Sequence, residues 1–192
     1  CGTGEEVSEQ IVKWMLFLKI QSLSYGHSGV SVKLVQRLVD FYNHGVYPII
    51  YEQGSLGASG DLAPLAHLAL PLIGLGEVTY QGKKYTGEEI NKLKGWKSLQ
   101  LQSKEGLALI NGTQFMLAYG VFLSLESRKL WYWSHITAAL SIDSFSCNMS
   151  PFDERIHLIR PHKGQLTSAA MIRELLQDSE IAVDEEQNVQ DP

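Results

Sequence analysis

From Thr113 to about Ser141 the chain has no proline and one glycine, Gly120. Within that stretch Phe115, Met116, Tyr119, Phe122, Leu123, Leu130, Trp133, Ile136 and Leu140 recur at the spacing of a helical stripe. At ~1.5 Å per residue such a helix runs roughly 40 Å, more than a compact two-layer domain can cover. It needs long neighbours, so the predicted fold class is mainly α, a long-helix bundle shared with other elements or other subunits. With 44% hydrophobic and 19% charged residues among 192, the chain is neither disordered nor collagenous. The apolar run from Leu62 to Leu75 is broken by Pro64, Pro71 and Gly74. No segment offers the ~20 uninterrupted apolar residues of a membrane span, which predicts a soluble chain with no membrane partner.

Charge is concentrated at one end. Six of the 21 acids, Asp178, Glu180, Asp184, Glu185, Glu186 and Asp191, fall in the last fifteen residues, where there is no lysine or arginine. The rest of the chain is close to neutral and carries no basic stripe, which argues against nucleic acid as a partner. Cys1 and Cys147 are the only cysteines, too few for a disulfide framework, so a reducing, cytoplasmic setting is expected. The six histidines are scattered without a ligand spacing, and no metal site is predicted. The start at Cys1 and the stop at Gln190-Asp191-Pro192 carry no end signals, so the expectation is an internal segment truncated at both termini.

Thr3 and Glu6 have capping-box spacing ahead of an apolar stripe from Val7 to Leu23, which predicts a first helix over about 4–23. Ser31 can cap a second, ended by Gly45. Tyr47 to Tyr51 reads as an extended connector, and Asp61 as the N-cap of a helix from about Leu62, with Pro64 tolerable in its first turn. Residues 78–85, VTYQGKKY, alternate around Gln81-Gly82 as a small β-hairpin, and Thr86 and Glu89 form another capping box. Short helices through Phe152 and Ile156 and through Leu166 to Leu176 follow the long one. The chain thus divides into helices and loop over 1–61, central helices over 62–177, and an extended acidic tail over 178–192.

Between the connector and the third helix lies Gly54-Ser-Leu-Gly-Ala-Ser-Gly60-Asp61, with almost no side-chain bulk. By itself such a loop permits sharp or left-handed turns and aims backbone N–H groups and a helix dipole at whatever lies above it. An anion-binding loop or a plain tight turn satisfies that reading equally. The lysine of a phosphate-binding loop and the spacing of a dinucleotide fingerprint are absent.

The loop continues as GSLGASGDLAPLAHLAL, and KEGLALINGTQ follows at 104–114. With YGHSGV at 25–30, PFDERIHLIRPHKGQ at 151–165 and VQDP at 189–192, these segments resemble the aromatic amino-acid ammonia-lyases that build a 4-methylideneimidazole-5-one group. The resemblance covers nearly the whole chain and is strongest to the histidine-specific branch. It implies that Ala58, Ser59 and Gly60 cyclise into the electrophile, so that no external cofactor is needed. It further implies that Asn111 hydrogen-bonds the electrophile, that Gln190 lines the substrate pocket, and that Asp61 supports cyclisation electrostatically. Gln114 after Asn111-Gly112-Thr113 tilts the expected substrate toward histidine, giving urocanate and ammonia through carbon–nitrogen lyase chemistry. Family members are homotetramers with shared active sites. A histidine before Cys1, a tyrosine base from a segment not present, and substrate-reading groups beyond Pro192 are implied to complete the site, so the segment alone is expected to be inactive.

Two further readings stand beside this one. A phenylalanine or tyrosine ammonia-lyase, or an aminomutase, uses the same electrophile. Alternatively the chain is an inactive helical scaffold that keeps the sequence without cyclising. Without the resemblance, Asn111-Gly112 is a turn signal, Gln190 a residue of a solvated tail, Asp61 a helix cap, and the aromatic run Trp131-Tyr132-Trp133 bundle core.

Overall fold

The computed structural model describes residues 2–56 and 58–182. The chain divides into two compact units, residues 1–123 and 124–192, and the boundary falls inside its longest helix. It is mainly helical with a few short strands, as its sequence predicts.

In the first unit, strand β1 (Thr3–Glu6) pairs antiparallel with β3 (Tyr51–Gln53), placing Thr3 opposite Gln53 and Glu6 opposite Tyr51. The expected capping box at Thr3 and Glu6 is therefore wrong. Gly2 and Gly4 take φ of +92° and +91°, which no helix accommodates, and the Glu6 carboxylate accepts from Lys84 Nζ at 2.5 Å instead. Helix α1 (Glu9–Ser24) begins only after Ser8, whose side chain makes no cap. Helix α2 (Val32–His44) has both ends where the sequence puts them. Ser31 Oγ accepts from Leu34 N, and Gly45, at φ +65°, donates its N–H to the carbonyls of Phe41 and Tyr42.

The connector contributes strand β2 (Tyr47–Pro48) as well as β3, and β2 lies beside β4 (Glu77–Tyr80), itself paired with β5 (Lys83–Thr86). The β4–β5 turn uses positive φ at both Gln81 and Gly82, the backbone that suits a two-residue hairpin. Helix α3 (Leu62–Ala69) passes into a 3₁₀ turn over Leu70–Ile73, and α4 (Gly87–Leu93) carries the complete Thr86–Glu89 capping box. Next come α5 (Glu105–Ile110) and α6 (Gln114–Ser144), separated by Asn111-Gly112-Thr113. Leu16, Leu38, Phe41, Ile50, Leu65, Leu68, Leu72, Ile90 and Leu109 are fully enclosed in this unit's core. Each such side chain contributes ~1.5–3 kcal/mol by leaving water.

The second unit holds the rest of α6, a 3₁₀ turn at Ser150–Phe152, α7 (Glu154–Leu158) and α8 (Lys163–Leu176). Its core is small: Ala139, Ile172 and Leu176, flanked by Ile142, Met149 and Phe152. Polar ties supplement it. Arg173 Nη1 donates to the Phe152 carbonyl at 2.6 Å, and Gln165 Nε2 lies 2.8 Å from His157 Nδ1 while His157 Nε2 faces the Pro151 carbonyl at 3.0 Å. The run PFDERIHLIRPHKGQ therefore holds its own corner together.

Helix α6 leaves much of its apolar surface uncovered: Leu130 is 69% and Trp133 63% exposed. The stretch Glu105–Ser144 is long and apolar enough, on average, to cross a bilayer, a property that a search for uninterrupted apolar runs misses. It is interrupted at Asn111–Thr113 and carries Glu126, Arg128 and Lys129 along its length. Asp178 to Ala182 form turns after α8, and the rest of the tail expected to be extended lies outside the described residues.

Candidate active site

The loop ahead of α3 is irregular throughout its described residues, and Ala58 and Ser59 are exposed at its surface. Gly60 is held at φ +107°, a conformation that only glycine takes without strain. A Cβ added there would lie 2.7 Å from the Gly112 carbonyl oxygen, 3.1 Å from Gly112 N and 3.3 Å from Asn111 Oδ1. Two backbone segments about fifty residues apart thus touch, and the side chain of Asn111 stands beside Gly60. The loop and the LINGTQ segment come together.

Asp61 fastens this contact, but not in the role its sequence position suggests. Its backbone N–H donates to the Gly112 carbonyl at 2.7 Å. Its side chain, although at the N-cap of α3, makes no capping bond to that helix. An N-cap oxygen takes its hydrogen bond from the second or third helical N–H, and the third residue of α3 is Pro64, which has none. The carboxylate turns elsewhere: Oδ1 accepts from Ser55 Oγ at 2.7 Å and Oδ2 from the backbone N–H of Met116 at 3.0 Å. Met116 lies in the first turn of α6, whose amides lack partners within that helix. Asp61 is only 1% exposed, so one buried carboxylate ties the loop ahead of α3 to the start of a different helix.

A second buried charge stands opposite. Lys19, on α1, is 1% exposed, and its Nζ donates to the Ala108 carbonyl of α5 at 3.3 Å. Burial lowers its pKa to about 8, with the Asp61 carboxylate pulling the other way. Sequence reading passed over Lys19. The available signal was its position among Met15, Leu16 and Leu23, where a lysine interrupts a stripe that is otherwise apolar.

Gln114 completes the surroundings. It is 8% exposed, and its Oε1, pressed over Gly112 where a Cβ would collide with it, has no hydrogen-bond partner among the described residues. His67, at the far side of α3, stacks edge-on against Tyr51 and belongs to the packing. Gln190 lies outside the described residues. No group of three or more potential metal-binding side chains occurs among the described residues.

A glycine-tight loop is thus clamped by a buried carboxylate to an Asn-Gly break between two helices. All of the chain, residues 1–192, matches the sequence profile of the family described as aromatic amino acid lyase, and the chain belongs to that family. Among curated relatives it is 48% identical over 179 residues to histidine ammonia-lyase 2 of Fusobacterium nucleatum, covering 93% of this chain and 35% of the relative. It is 46% identical over 191 residues to the histidine ammonia-lyase of Natranaerobius thermophilus, covering 99% and 38%. Among solved structures, the phenylalanine aminomutase of Pantoea agglomerans superposes with a TM-score of 0.89 at 38% identity, over 96% of this chain and 35% of that one. The histidine ammonia-lyase of Trypanosoma cruzi gives 0.86 at 37%, over 93% and 35%. The chain therefore spans about a third of the length of these relatives.

Proposed function

We propose that this chain is the electrophile-forming segment of a histidine ammonia-lyase, which converts L-histidine to urocanate and ammonia without oxidation. The observation that carries the reading is the backbone contact of Gly60 with Gly112 beside Asn111, in a chain of this family. Cyclisation joins the Gly60 amide nitrogen to the Ala58 carbonyl carbon. One water leaves with that carbonyl oxygen and a second with the Ser59 hydroxyl and its α-hydrogen, leaving an exocyclic methylidene. The residues present fit the resulting 4-methylideneimidazole-5-one. Ala58 and Gly60 add no bulk at the joining atoms, Ser59 supplies the leaving oxygen, and the cradle at Gly60 is too tight for any side chain.

That group, once formed, offers an electrophilic carbon that turns the substrate's amino group into a better leaving group. The chain's own contribution is placement. Asp61 holds the loop against the Asn111-Gly112 break, and the N-termini of α3 and α6 converge on its carboxylate, where their dipoles favour negative charge. Asn111 Oδ1 lies 3.3 Å from where a Gly60 Cβ would stand, which supports a role for this side chain beside the segment that cyclises. Gln114, directly after Asn111-Gly112-Thr113, supports histidine as substrate through the family resemblance alone. Gln190 belongs to the same proposal as a pocket-lining residue.

A second reading, an aminomutase or a phenylalanine or tyrosine ammonia-lyase, is favoured by the likeness to the Pantoea agglomerans enzyme. We place the whole protein in the cytoplasm, in keeping with its two cysteines, and as a homotetramer, because the uncovered face of α6 needs other helices to exclude water from it. The test uses the full-length protein: intact mass, near-ultraviolet absorbance, and turnover of histidine, phenylalanine and tyrosine side by side. A mass short by two waters with urocanate as product supports the proposal. Cinnamate, coumarate or a β-amino acid selects the second reading, and an undehydrated chain without turnover leaves a scaffold.

A further inference from the structure

Helix α5 stops where it does for a reason that lies on another helix. Its last intrahelical bond runs from Asn111 N to the Leu107 carbonyl at 2.9 Å. Were the helix to continue, the next carbonyl, that of Ala108, would accept from Gly112 N. Asn111 instead takes an extended backbone (φ −94°, ψ 99°), and the chain turns toward Gly60 before α6 begins. The Ala108 carbonyl is thereby left as one of the orphan acceptors of a helix end. Lys19 Nζ is the group that reaches it, at 3.3 Å, from 89 residues away in the sequence. The local solution to such an end, a glycine just past the helix, is not used, because the residue there is Asn111 in an extended rather than left-handed conformation.

The two buried charges are also matched to helix ends. Lys19 stands at the C-terminal, negative end of α5, and Asp61 at the N-terminal, positive ends of α3 and α6. Between these ends sits the three-residue break that presents Asn111. No other lysine or arginine is buried to the same degree among the described residues, and the proposed chemistry gives Lys19 no direct role.

We infer that Lys19 is a positioning residue for the electrophile site: by capping the Ala108 carbonyl from α1 it holds α5 and α6 apart at Asn111-Gly112, and so fixes Asn111 against Gly60. The inference rests on the proposed cyclisation for its effect on activity, while the local geometry it invokes is measurable without it.

Three variants of the full-length protein separate the contributions. Lys19→Arg keeps charge and donor, Lys19→Gln keeps a neutral donor, and Lys19→Met keeps only the apolar stem. Lys19→Met leaves the Ala108 carbonyl without its donor and Asp61 without the facing cation, so Lys19→Gln, which keeps a donor, serves as the second measurement if the Met variant does not fold. Amide exchange over 108–116 reads the break directly. Near-ultraviolet absorbance and kcat against KM read its coupling to the site. In Lys19→Met, exchange over 108–116 is expected to rise at least tenfold. Maturation should slow or kcat fall by a similar factor with KM nearly unchanged, and Lys19→Arg should restore most of it. Unchanged exchange and unchanged kcat in a folded Met variant overturn the inference. If the wild-type protein itself shows no dehydration while Met still loosens 108–116, the capping role stands and the cyclisation reading is the one that fails.

Discussion

Asp61 accepts a hydrogen bond from the backbone N–H of Met116 across 55 residues of sequence, and the same residue's own N–H reaches the Gly112 carbonyl. Two covalently remote segments are thereby closed around the contact between Gly60 and Asn111. Asp61→Ala in the full-length protein removes the acceptor for both Ser55 Oγ and Met116 N. The expected loss of stability is ~1–3 kcal/mol, with dehydration of the loop strongly slowed. Asp61→Asn, which keeps one acceptor oxygen, should fall between. Thermal melting paired with intact mass checks this; an Asp61→Ala protein that melts and matures like wild type refutes the clamp.

Gly60→Ala tests the cradle. The added Cβ meets the Gly112 carbonyl oxygen at 2.7 Å while the backbone sits at φ +107°. The loop must move away from Asn111-Gly112, at a cost of ~1–3 kcal/mol locally. The fold of the first unit should survive in circular dichroism while the near-ultraviolet band is lost.

Ser59 divides the proposed chemistry from a plain loop. It is exposed, so Ser59→Ala should leave the melting temperature within a degree or two of wild type. If Ser59 supplies the eliminated oxygen, kcat for histidine should drop by several orders of magnitude with little change in folding. Normal urocanate production by that variant excludes the assignment.

Lys19 gives a pH signature in stability. Burial places its folded pKa at about 8, below the ordinary lysine value of 10.5 that the unfolded chain is expected to show. Between these values the unfolded chain binds more protons, so this group's contribution to stability rises with pH, by up to ~3 kcal/mol across the window. Asp61 is the charged group that faces it and opposes the shift. The difference in unfolding free energy between wild type and Lys19→Met, followed from pH 7 to about 11, should change in favour of wild type through that range. A flat difference contradicts the assignment.

The uncovered side of α6 predicts association. Charged substitutions at Leu130 and Trp133, both well exposed within this chain, should cost little to a monomer but should break a tetramer of the whole protein. Light scattering on the double variant distinguishes the two.

Several elements were legible because their determinants are local. Ser31 and Gly45 bound α2, Gln81-Gly82 turn the hairpin, Thr86 and Glu89 cap α4, and the proline-free run from Thr113 makes α6. The failures have non-local causes. Thr3 and Glu6 match a capping pattern, yet their partners in β3 lie some fifty residues away, and Gly2 and Gly4 exclude a helix. At Asp61 the cap position was visible, but the choice of partner depended on Pro64 lacking an N–H and on α6 arriving nearby. The residues of the loop and of Asn111 were found through family likeness; the pressure between Gly60 and Gly112 needed coordinates. Helix α5, six residues long, has too short a stripe to announce itself, and with it Lys19 was missed.

Because Gly60 meets Gly112 main chain to main chain, the proposed dehydration can proceed only while distant parts of the polypeptide are correctly assembled. The reaction then writes a covalent record of that moment. A chain that later unfolds keeps the altered backbone, so a population of denatured molecules can be sorted by mass into those that once reached the native arrangement and those that never did. On the proposed cyclisation, the contact would act as a one-way checkpoint in biogenesis, and refolding of a matured chain would start from a different molecule than the one the ribosome released.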